Sequence, residues 1–310
     1  MENNTHKLAP EFVPIVDAIE AHLIGKRYAI TLTLSAYFAG GHVLLEDIPG
    51  VGKTTLAKQF CSVLGLEFGR IQFTSDMLPS DILGISYYNQ KDGNFTLKRG
   101  AIFTQFLLAD EINRAMPKTQ SALLEAMEEG NITIDSTSHK LPTPFFVIGT
   151  QNPHEEVGTF PLPHSQLDRF LCSFGIGYPN RESEREILKG SSDKIPPLKE
   201  PLLTHQEILD LMQRVKDITL SDAMLDYLQN VIEFTRESGR FEYGLSTRGA
   251  LALTAMVKSW AMLHGRSYAI PDDLNAVTAV VCSHRLKFME GNTTTVRLSN
   301  EIFTHIRSDA

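Results

Sequence analysis

The sequence predicts an α/β fold: a parallel sheet flanked by helices, followed by a smaller all-helical domain. Over the first two thirds of the chain, short apolar runs typical of buried strands alternate with helical patterns, an order that favours a parallel sheet. Residues 190–202, G-S-S-D-K-I-P-P-L-K-E-P-L, are polar and rich in proline, as linkers are. Beyond them, apolar residues recur almost only at helical spacing. We therefore expect a sheet domain over 1–193, a linker over 194–202 and a helical domain over 203–310.

The expected elements follow one another along the chain. Apolar residues from Phe12 to Leu23 recur at helical spacing and predict a first helix, and a second helix covers 27–39. Short apolar runs predict strands at 42–46, 70–73, 102–111, 144–150 and 172–176. Helical patterns lie between some of these strands, at 55–64 and 118–129. In the last third of the chain, they cover 208–215, 224–234 and 248–263.

Composition narrows the possible functions of the protein and the cellular compartments in which it could work. The chain has 29 basic and 37 acidic residues, a net charge of -8, which argues against a broad nucleic-acid surface. Its cysteines are far apart and lack the spacing of metal ligands, so we expect buried thiols in a reducing cytoplasm: Cys61, Cys172 and Cys282. Residues 28–45 carry no formal charge, but the glycines at 40 and 41 divide them, so no membrane insertion is expected.

A glycine-rich loop between an expected strand and an expected helix is the first candidate site. It reads E-D-I-P-G-V-G-K-T-T, close to the phosphate-binding pattern G-x-x-x-x-G-K-[ST], with Asp47 at the position of the first glycine. Gly50 and Gly52 would let backbone N–H groups approach phosphate oxygens at a helix N-terminus. Lys53 would reach the β- and γ-phosphates, and the Thr54 hydroxyl would bind Mg²⁺. Taken alone, the loop also fits a surface turn that happens to carry a lysine.

A second candidate is the apolar strand F-L-L-A-D-E, which ends in two acids. Asp110 is placed to hold Mg²⁺ through water, and Glu111 beside it can accept a proton from an attacking water. Asp110 lies 57 residues after Lys53 (110 − 53), which leaves room for an intervening helix and strand. Such strand ends are common by themselves, so the combination with the loop carries the prediction.

Three further polar residues follow in order. Asn152 ends the strand V-I-G-T-Q-N-P and could orient the water or touch the γ-phosphate, or simply form an N-P turn. Arg169, on an expected helix in S-Q-L-D-R-F, could stabilise transition-state charge, or form a surface ion pair with Asp168. Arg248 follows an expected N-cap, Ser246 or the next threonine, where a cation opposes the helix dipole. A phosphate partner would explain that position, although a solvated arginine also fits.

These motifs, in this order, resemble the AAA+ ATPase pattern of Walker A, Walker B, sensor 1, arginine finger and sensor 2. The chain closely resembles the MoxR family, of the helix-2-insert clade, from about residue 12 to about residue 290. The resemblance lies in L-L-E-D-I-P-G-V-G-K-T-T-L-A, Q-F-T-S-D-M-L-P-S-D-I-L-G, R-G-A-I-F-T-Q-F-L-L-A-D-E-I-N-R-A-M-P-K-T-Q-S-A-L-L-E-A-M-E-E and F-P-L-P-H-S-Q-L-D-R-F. In that family the loop commonly lacks its first glycine, so Asp47 need not signal a decayed site.

The resemblance implies a role for each matching residue. Phosphates would be cradled by Pro49, Gly50, Val51, Gly52, Lys53, Thr54 and Thr55, and adenine would pack on the L-I-G-K segment through Ile24 and Gly25. Catalysis would fall to Glu111, Asn152, Arg169 and Arg248, with Mg²⁺ held by Thr54 and Asp110. The segment 75–101 would hold the extra insert, and 131–144 a hairpin. His164 departs from the acid that the family often has there, which bears on subunit contacts near Arg169.

The same resemblance implies a function. MoxR proteins look like chaperone-type ATPases that remodel or activate partner proteins, often proteins with von Willebrand factor A domains or metalloenzyme complexes. We expect ATP and Mg²⁺ as ligands and a homo-oligomer, a hexameric ring, in which Arg169 serves a neighbour's site. Three alternatives stay open: a metal-chelatase subunit, a DNA-acting machine, and a scaffold that binds ATP without hydrolysing it.

Overall fold

The computed structural model describes residues 7–90, 93–153, 157–190, 198–291 and 295–308. Within these ranges the strands are β1 (Val43–Glu46), β2 (Phe68–Gln72), β3 (Gly84–Asn89), β4 (Asn94–Arg99), β5 (Phe106–Asp110), β6 (Asn131–Ile134), β7 (Thr137–Lys140), β8 (Phe146–Gln151) and β9 (Cys172–Phe174). The helices of the first two thirds are α1 (Val13–Glu20), α2 (Arg27–Phe38), α3 (Lys53–Leu64), α4 (Pro79–Leu83), α5 (Pro117–Glu129), α6 (His164–Leu167) and α7 (Arg181–Leu188). Those of the last third are α8 (His205–Asp217), α9 (Asp222–Glu237), α10 (Thr247–Leu263), α11 (Pro271–Cys282) and α12 (Thr295–Ser308).

Five strands form the parallel sheet that the sequence predicts. Their order is β2-β5-β8-β1-β9, and every pairing between neighbours is parallel. The central strands are buried on both faces, which explains why they read as continuous apolar runs. Because all five run the same way, their carboxyl ends meet at one edge of the sheet, where ligands bind in open α/β folds.

One face of the sheet is covered by a cluster of aromatic rings. The Tyr37 ring of α2 lies with its centroid 5.2 Å from that of Phe146, and Phe60 of α3 lies 5.5 Å from Phe106. All four side chains are buried, and burial of each contributes about 1.5–3 kcal/mol. This packing fixes α3 against β5 and β8, and therefore sets the position of the loop that precedes α3.

Two expected features between the strands are present, and one strand begins four residues later than predicted. The segment 75–101 contains α4 and the β3–β4 hairpin, and 131–144 contains the β6–β7 hairpin. The predicted strand over 102–111 begins only at Phe106. Ile102 donates its N–H to the carbonyl of Ile82 at 3.2 Å, which holds the preceding residues in a turn against the insert.

The helices of the last third pack against α2 and β9. Trp260 of α10 is buried, and its ring centroid lies 6.0 Å from that of Tyr28. Ser259 donates its hydroxyl to the carbonyl of Ser35, 2.7 Å away. Residues 194–197 of the expected linker lie outside the described residues, so the boundaries of 1–193, 194–202 and 203–310 stay predictions. The described cysteines are all buried, and no helix in the described part could cross a bilayer.

Candidate functional site

The glycine-rich loop connects β1 to α3, whose first residue is Lys53. Gly50 and Gly52 have φ values of 88° and 99°, the left-handed region that side chains avoid. A Cβ on Gly52 would lie 2.6 Å from the Leu23 side chain, so the loop also needs glycine for close packing. Lys53 donates from Nζ to the carbonyl of Asp47 at 2.7 Å. Burial lowers the pKa of Lys53, and the nearby carboxylates oppose this shift.

The loop forms one side of a cleft of about 390 Å³ at the carboxyl ends of the strands. This volume suits a small-molecule ligand. Of the residues predicted from the sequence, the cleft brings together Pro49, Gly50, Gly52, Lys53, Thr54, Thr55, Asp110, Glu111 and Asn152. Two further side chains, those of Arg70 and Gln72 at the end of β2, complete its lining.

Both carboxylate oxygens of Asp110 have partners within the cleft wall. Oδ1 accepts a hydrogen bond from the Thr150 hydroxyl at 2.7 Å, and Oδ2 forms an ion pair with Arg70 Nη2 at 2.7 Å. Among the described residues no three His, Cys, Asp or Glu side chains cluster as a metal site. Mg²⁺ in nucleotide sites is held by one or two protein oxygens together with substrate phosphates and water. The Thr54 hydroxyl and the Asp110 carboxylate fit that ion.

Glu111 is held in an unusual backbone conformation. Its φ is 57°, which costs a non-glycine residue about 1–2 kcal/mol. The Glu111 N–H donates to the Thr150 hydroxyl at 2.9 Å, and its Oε2 accepts from Gln72 Nε2 at 2.8 Å. The same Oε2 lies 3.1 Å from Arg114 Nε. These contacts hold the Glu111 carboxylate at the cleft.

Three residues predicted to bind the nucleotide do not line this cleft. The Val51 side chain is buried in the core. Ile24 lies in a separate pocket of about 340 Å³ beside α7. Gly25 is packed so closely on α7 that a Cβ would lie 2.1 Å from Ser183 Oγ. The segment 23–26 therefore reaches the phosphate loop through Leu23 and faces α7 through Ile24 and Gly25.

The two candidate arginines lie outside the cleft, together on one carboxylate. Arg169 Nη1 is 3.2 Å from Glu128 Oε2, and Arg248 donates from Nη2 to Glu128 Oε1. Arg169 lies in the turn after α6, so the expectation that a helix carries it is wrong. Arg248 occupies the first turn of α10 as predicted, where the N-cap Ser246 hydroxyl accepts from Gly249 N–H at 2.9 Å. We call Glu128, Arg169 and Arg248 the arginine cluster.

Neighbouring contacts fix the arginine cluster to the helical part of the chain. Asp168, considered above as a partner for Arg169, pairs instead with buried Arg285, whose Nε is 2.6 Å from Asp168 Oδ1. The Ser246 hydroxyl donates to the other Asp168 oxygen at 2.9 Å. His164 packs edge-on against Tyr243, with ring centroids 4.9 Å apart and a hydrogen bond between the two side chains. This departure from the family pattern thus contacts the chain's own helical part.

No motif in the sequence singles out Arg70, Gln72 or Glu128. Gln72 lies opposite Asp110 in the parallel register, so its place at the end of a strand was an available signal. Glu128 lies in the last turn of α5, where a negative charge interacts unfavourably with the helix dipole. Arg248 lies in the first turn of α10, where a positive charge is equally unfavourable. Their ion pair accounts for both unfavourable positions.

Comparisons with known proteins agree with this geometry. Residues 42–172 match the model of the ATPase family associated with various cellular activities (AAA), and residues 233–304 match the AAA lid domain. A Bacillus subtilis protein named YeaC, described as uncharacterized, is 43% identical over 281 residues, covering 90% of this chain and 88% of that protein.

Two further relatives extend the comparison. Chaperone MoxR1 of Mycobacterium tuberculosis is 39% identical, covering 85% of this chain and 72% of that protein. A solved structure of an ATPase candidate from Cytophaga hutchinsonii superposes with a TM-score of 0.86 at 35% identity, covering 95% of this chain and 93% of that one. With the phosphate loop, the paired acids and the lid in place, this chain belongs to the MoxR family of AAA+ ATPases.

Proposed function

We propose that this protein hydrolyses ATP with Mg²⁺ in a homo-oligomeric ring, a hexamer, and uses the cycle to remodel or activate partner proteins in the cytoplasm. The observation that carries the proposal is the single cleft that joins the phosphate loop to Asp110, Glu111 and Asn152. A loop alone would support binding, whereas a carboxylate at the same cleft supports hydrolysis.

Each residue of the cleft has a distinct part in this proposal. Backbone N–H groups of the loop and the Lys53 ammonium bind the phosphates at the start of α3, where the helix dipole favours an anion. Glu111 takes a proton from the attacking water, and Asn152 orients that water. Bound Mg²⁺, held by Thr54 and Asp110, would neutralise charge on the phosphates. A catalytic carboxylate of this kind contributes about 10²–10⁴-fold to the rate.

The ring is supported by the place of the arginine cluster. Neither Arg169 nor Arg248 lines the cleft of its own chain, and both pair with Glu128. Arg169 Nε is buried without a hydrogen-bonding partner among the described residues, so its guanidinium is only partly satisfied. An arginine supplied to a neighbouring subunit's phosphate is an established way to stabilise phosphoryl transfer. We therefore assign both arginines to the next subunit's site.

The partner-remodelling part of the proposal rests on family membership. The Mycobacterium relative is named a chaperone, and the MoxR resemblance makes a protein with a von Willebrand factor A domain, or a metalloenzyme complex, the expected client. The net charge of -8 supports a protein client over nucleic acid.

Substitution of the proposed base tests the hydrolysis. Glu111→Gln keeps the shape and one acceptor but cannot take the proton, so we expect ATP turnover to fall by about 10²–10⁴-fold while ATP still binds. Phosphate release and calorimetric binding would be measured side by side. The matched control is Glu233→Gln, the same change at an exposed position of α9. Unchanged turnover in Glu111→Gln would contradict the assignment.

The trapped variant also tests the client class. Glu111→Gln in ATP should retain its partner on a column, whereas Lys53→Ala, which lacks the phosphate-binding ammonium, should not. Proteins recovered only from the first column would be identified by mass spectrometry. Recovery of nucleic acid in place of protein would overturn the client assignment and favour a DNA-acting machine.

A further inference from the structure

The aspartate that replaces the first glycine of the phosphate loop has a defined set of contacts. Asp47 is buried, with 9% of its surface exposed. Its Oδ1 accepts from the N–H of Ile48 at 3.1 Å, and its Oδ2 accepts from the N–H of Gly177 at 2.7 Å. A glycine could make neither contact, because both use the carboxylate. Asp47 therefore ties the start of the phosphate loop to the segment that follows β9.

A buried lysine holds the same segment from the opposite side. Lys26 is also 9% exposed, and its Nζ donates to the carbonyls of Ile176, Gly177 and Tyr178 at 3.0, 2.8 and 2.6 Å. An ammonium group has three N–H donors, so these bonds use all of them. Burial lowers the pKa of Lys26, and the nearby Asp47 carboxylate opposes that shift.

The two charged side chains meet at one residue. Gly177 donates its N–H to Asp47 and accepts from Lys26 at its carbonyl, so a negative and a positive charge bracket its backbone. Lys26 ends the segment 23–26, whose Leu23 touches Gly52 in the phosphate loop. The segment 23–26 and the phosphate loop are thus joined twice, directly by Leu23 and indirectly through Gly177.

We propose that Asp47 and Lys26 are a positioning pair that holds the phosphate loop in register with the segment 23–26, where the adenine base is expected to lie. This inference rests on the proposed binding of ATP at the cleft. The base and phosphates of a nucleotide are joined through one ribose, which limits the distance between them, so both ends bind together only if the two segments keep their spacing. The aspartate in the loop is then a working part of the site, and restoring the usual glycine weakens it.

Two ligands separate positioning from simple damage to the loop. ATP uses both segments, whereas inorganic tripolyphosphate uses the phosphate loop alone. With Mg²⁺ present, Asp47→Gly and Lys26→Met should each lower ATP affinity about tenfold or more, since each removes hydrogen bonds to a charged group. Tripolyphosphate affinity should change less than about threefold. Calorimetric titration of the full chain measures both.

Controls keep the result interpretable. Asp135→Gly makes the same change at an exposed turn position with positive φ and should leave both affinities unchanged. Asp47→Asn keeps one acceptor oxygen and should show a smaller, still ATP-selective loss, which also serves if Asp47→Gly does not fold. Thermal unfolding without ligand monitors the fold of every variant.

The outcomes decide between the proposals. Asp47→Gly that binds ATP as tightly as wild type, or more tightly, would overturn the positioning role. Equal losses for ATP and tripolyphosphate would overturn it too, because the damage would then lie within the phosphate loop. Wild-type protein that binds neither ligand contradicts the proposed function itself, and the positioning role falls with it.

Discussion

The cleft and the arginine cluster are built in different ways. In the cleft, Asp110 and Glu111 are held by Thr150 at the end of the adjacent strand β8, so the backbone of the sheet sets their positions. In the arginine cluster, side-chain ion pairs hold the arginines, and the Arg248 and Glu128 side chains are 47% and 40% exposed. Exposed ion pairs contribute little free energy, about 0–1 kcal/mol.

This difference has a functional consequence. A cleft positioned by the sheet is preformed within one chain, whereas arginines that share an exposed carboxylate can exchange it for another anion at small cost. A neighbour's γ-phosphate is such an anion in the proposed ring. A substitution in the cleft should thus affect ATP turnover in the same subunit. A substitution in the arginine cluster should affect turnover in the neighbouring subunit.

The largest expected effect comes from Arg169. Arg169→Ala should bind ATP as wild type does but turn it over about 10³-fold more slowly. The reason is that the guanidinium that stabilises negative charge in the transition state is removed. Mixing it with Glu111→Gln subunits should restore part of the activity, since a Glu111→Gln neighbour supplies the missing guanidinium. Steady-state phosphate release across mixing ratios measures this.

Arg214→Ala serves as the matched control, because Arg214 makes only an exposed ion pair with Glu11 among its described contacts. It should lower turnover little and need no complementation. If no mixing ratio restores activity, the arginine does not act between subunits, and the contrast between cleft and cluster fails.

The next largest expected effect is on stability and concerns His42, which contacts both the sheet and the residue beside Glu128. Its Nδ1 accepts from Val147 N–H in β8 and its Nε2 donates to the Met127 carbonyl beside Glu128, both at 3.1 Å, so the ring is neutral. Burial lowers the pKa of His42 to about 4. In the unfolded chain this histidine takes up a proton near pH 6.5, whereas in the folded chain it stays neutral down to about pH 4. Its contribution to the free energy of unfolding is therefore fully present above about pH 6.5 and is lost as the pH falls towards 4. The loss reaches about 3 kcal/mol.

Urea unfolding between pH 7.5 and pH 4 measures this dependence. His42→Gln should be less stable at pH 7.5 but should lose less stability on acidification. Burial also lowers the pKa of His284, so the dependence should flatten only in part. His205→Gln, at an exposed position, is the control. Parallel pH curves for wild type and His42→Gln would show that His42 does not carry the effect.

The smallest expected effect is that of Glu128. In the proposed ring, Glu128→Gln removes the charge that would compete with phosphate for two arginines, so the half-saturating ATP concentration for turnover should fall about two- to fivefold, as expected for the loss of an exposed ion pair. Glu129→Gln, at the exposed neighbouring position, should leave it unchanged. A rise in half-saturating ATP would mean that Glu128 positions the arginines productively, and the view of it as an exchangeable partner would be wrong.

Local sequence patterns predict most of the cleft. A strand, a glycine turn and a helix are such patterns, and parallel strands bring their polar ends to one edge, so the sequence alone places Lys53, Asp110 and Asn152 at one site. The N-cap that puts Arg248 in the first turn of α10 is likewise local. What each arginine contacts was not predictable from such patterns.

The sequence by itself determined the parallel sheet, the helical part that follows it, and most of the residues that line the cleft, because these depend on periodicity and short motifs. Only the tertiary structure decided that Arg169 and Arg248 share Glu128, that Asp168 belongs to Arg285, and that Asp47 and Lys26 bracket Gly177. Asp168 and Arg285 are 117 residues apart in the chain, and Asp47 and Gly177 are 130 apart. Contacts at such separations depend on how packed elements bring side chains together, and no local pattern of residues encodes them.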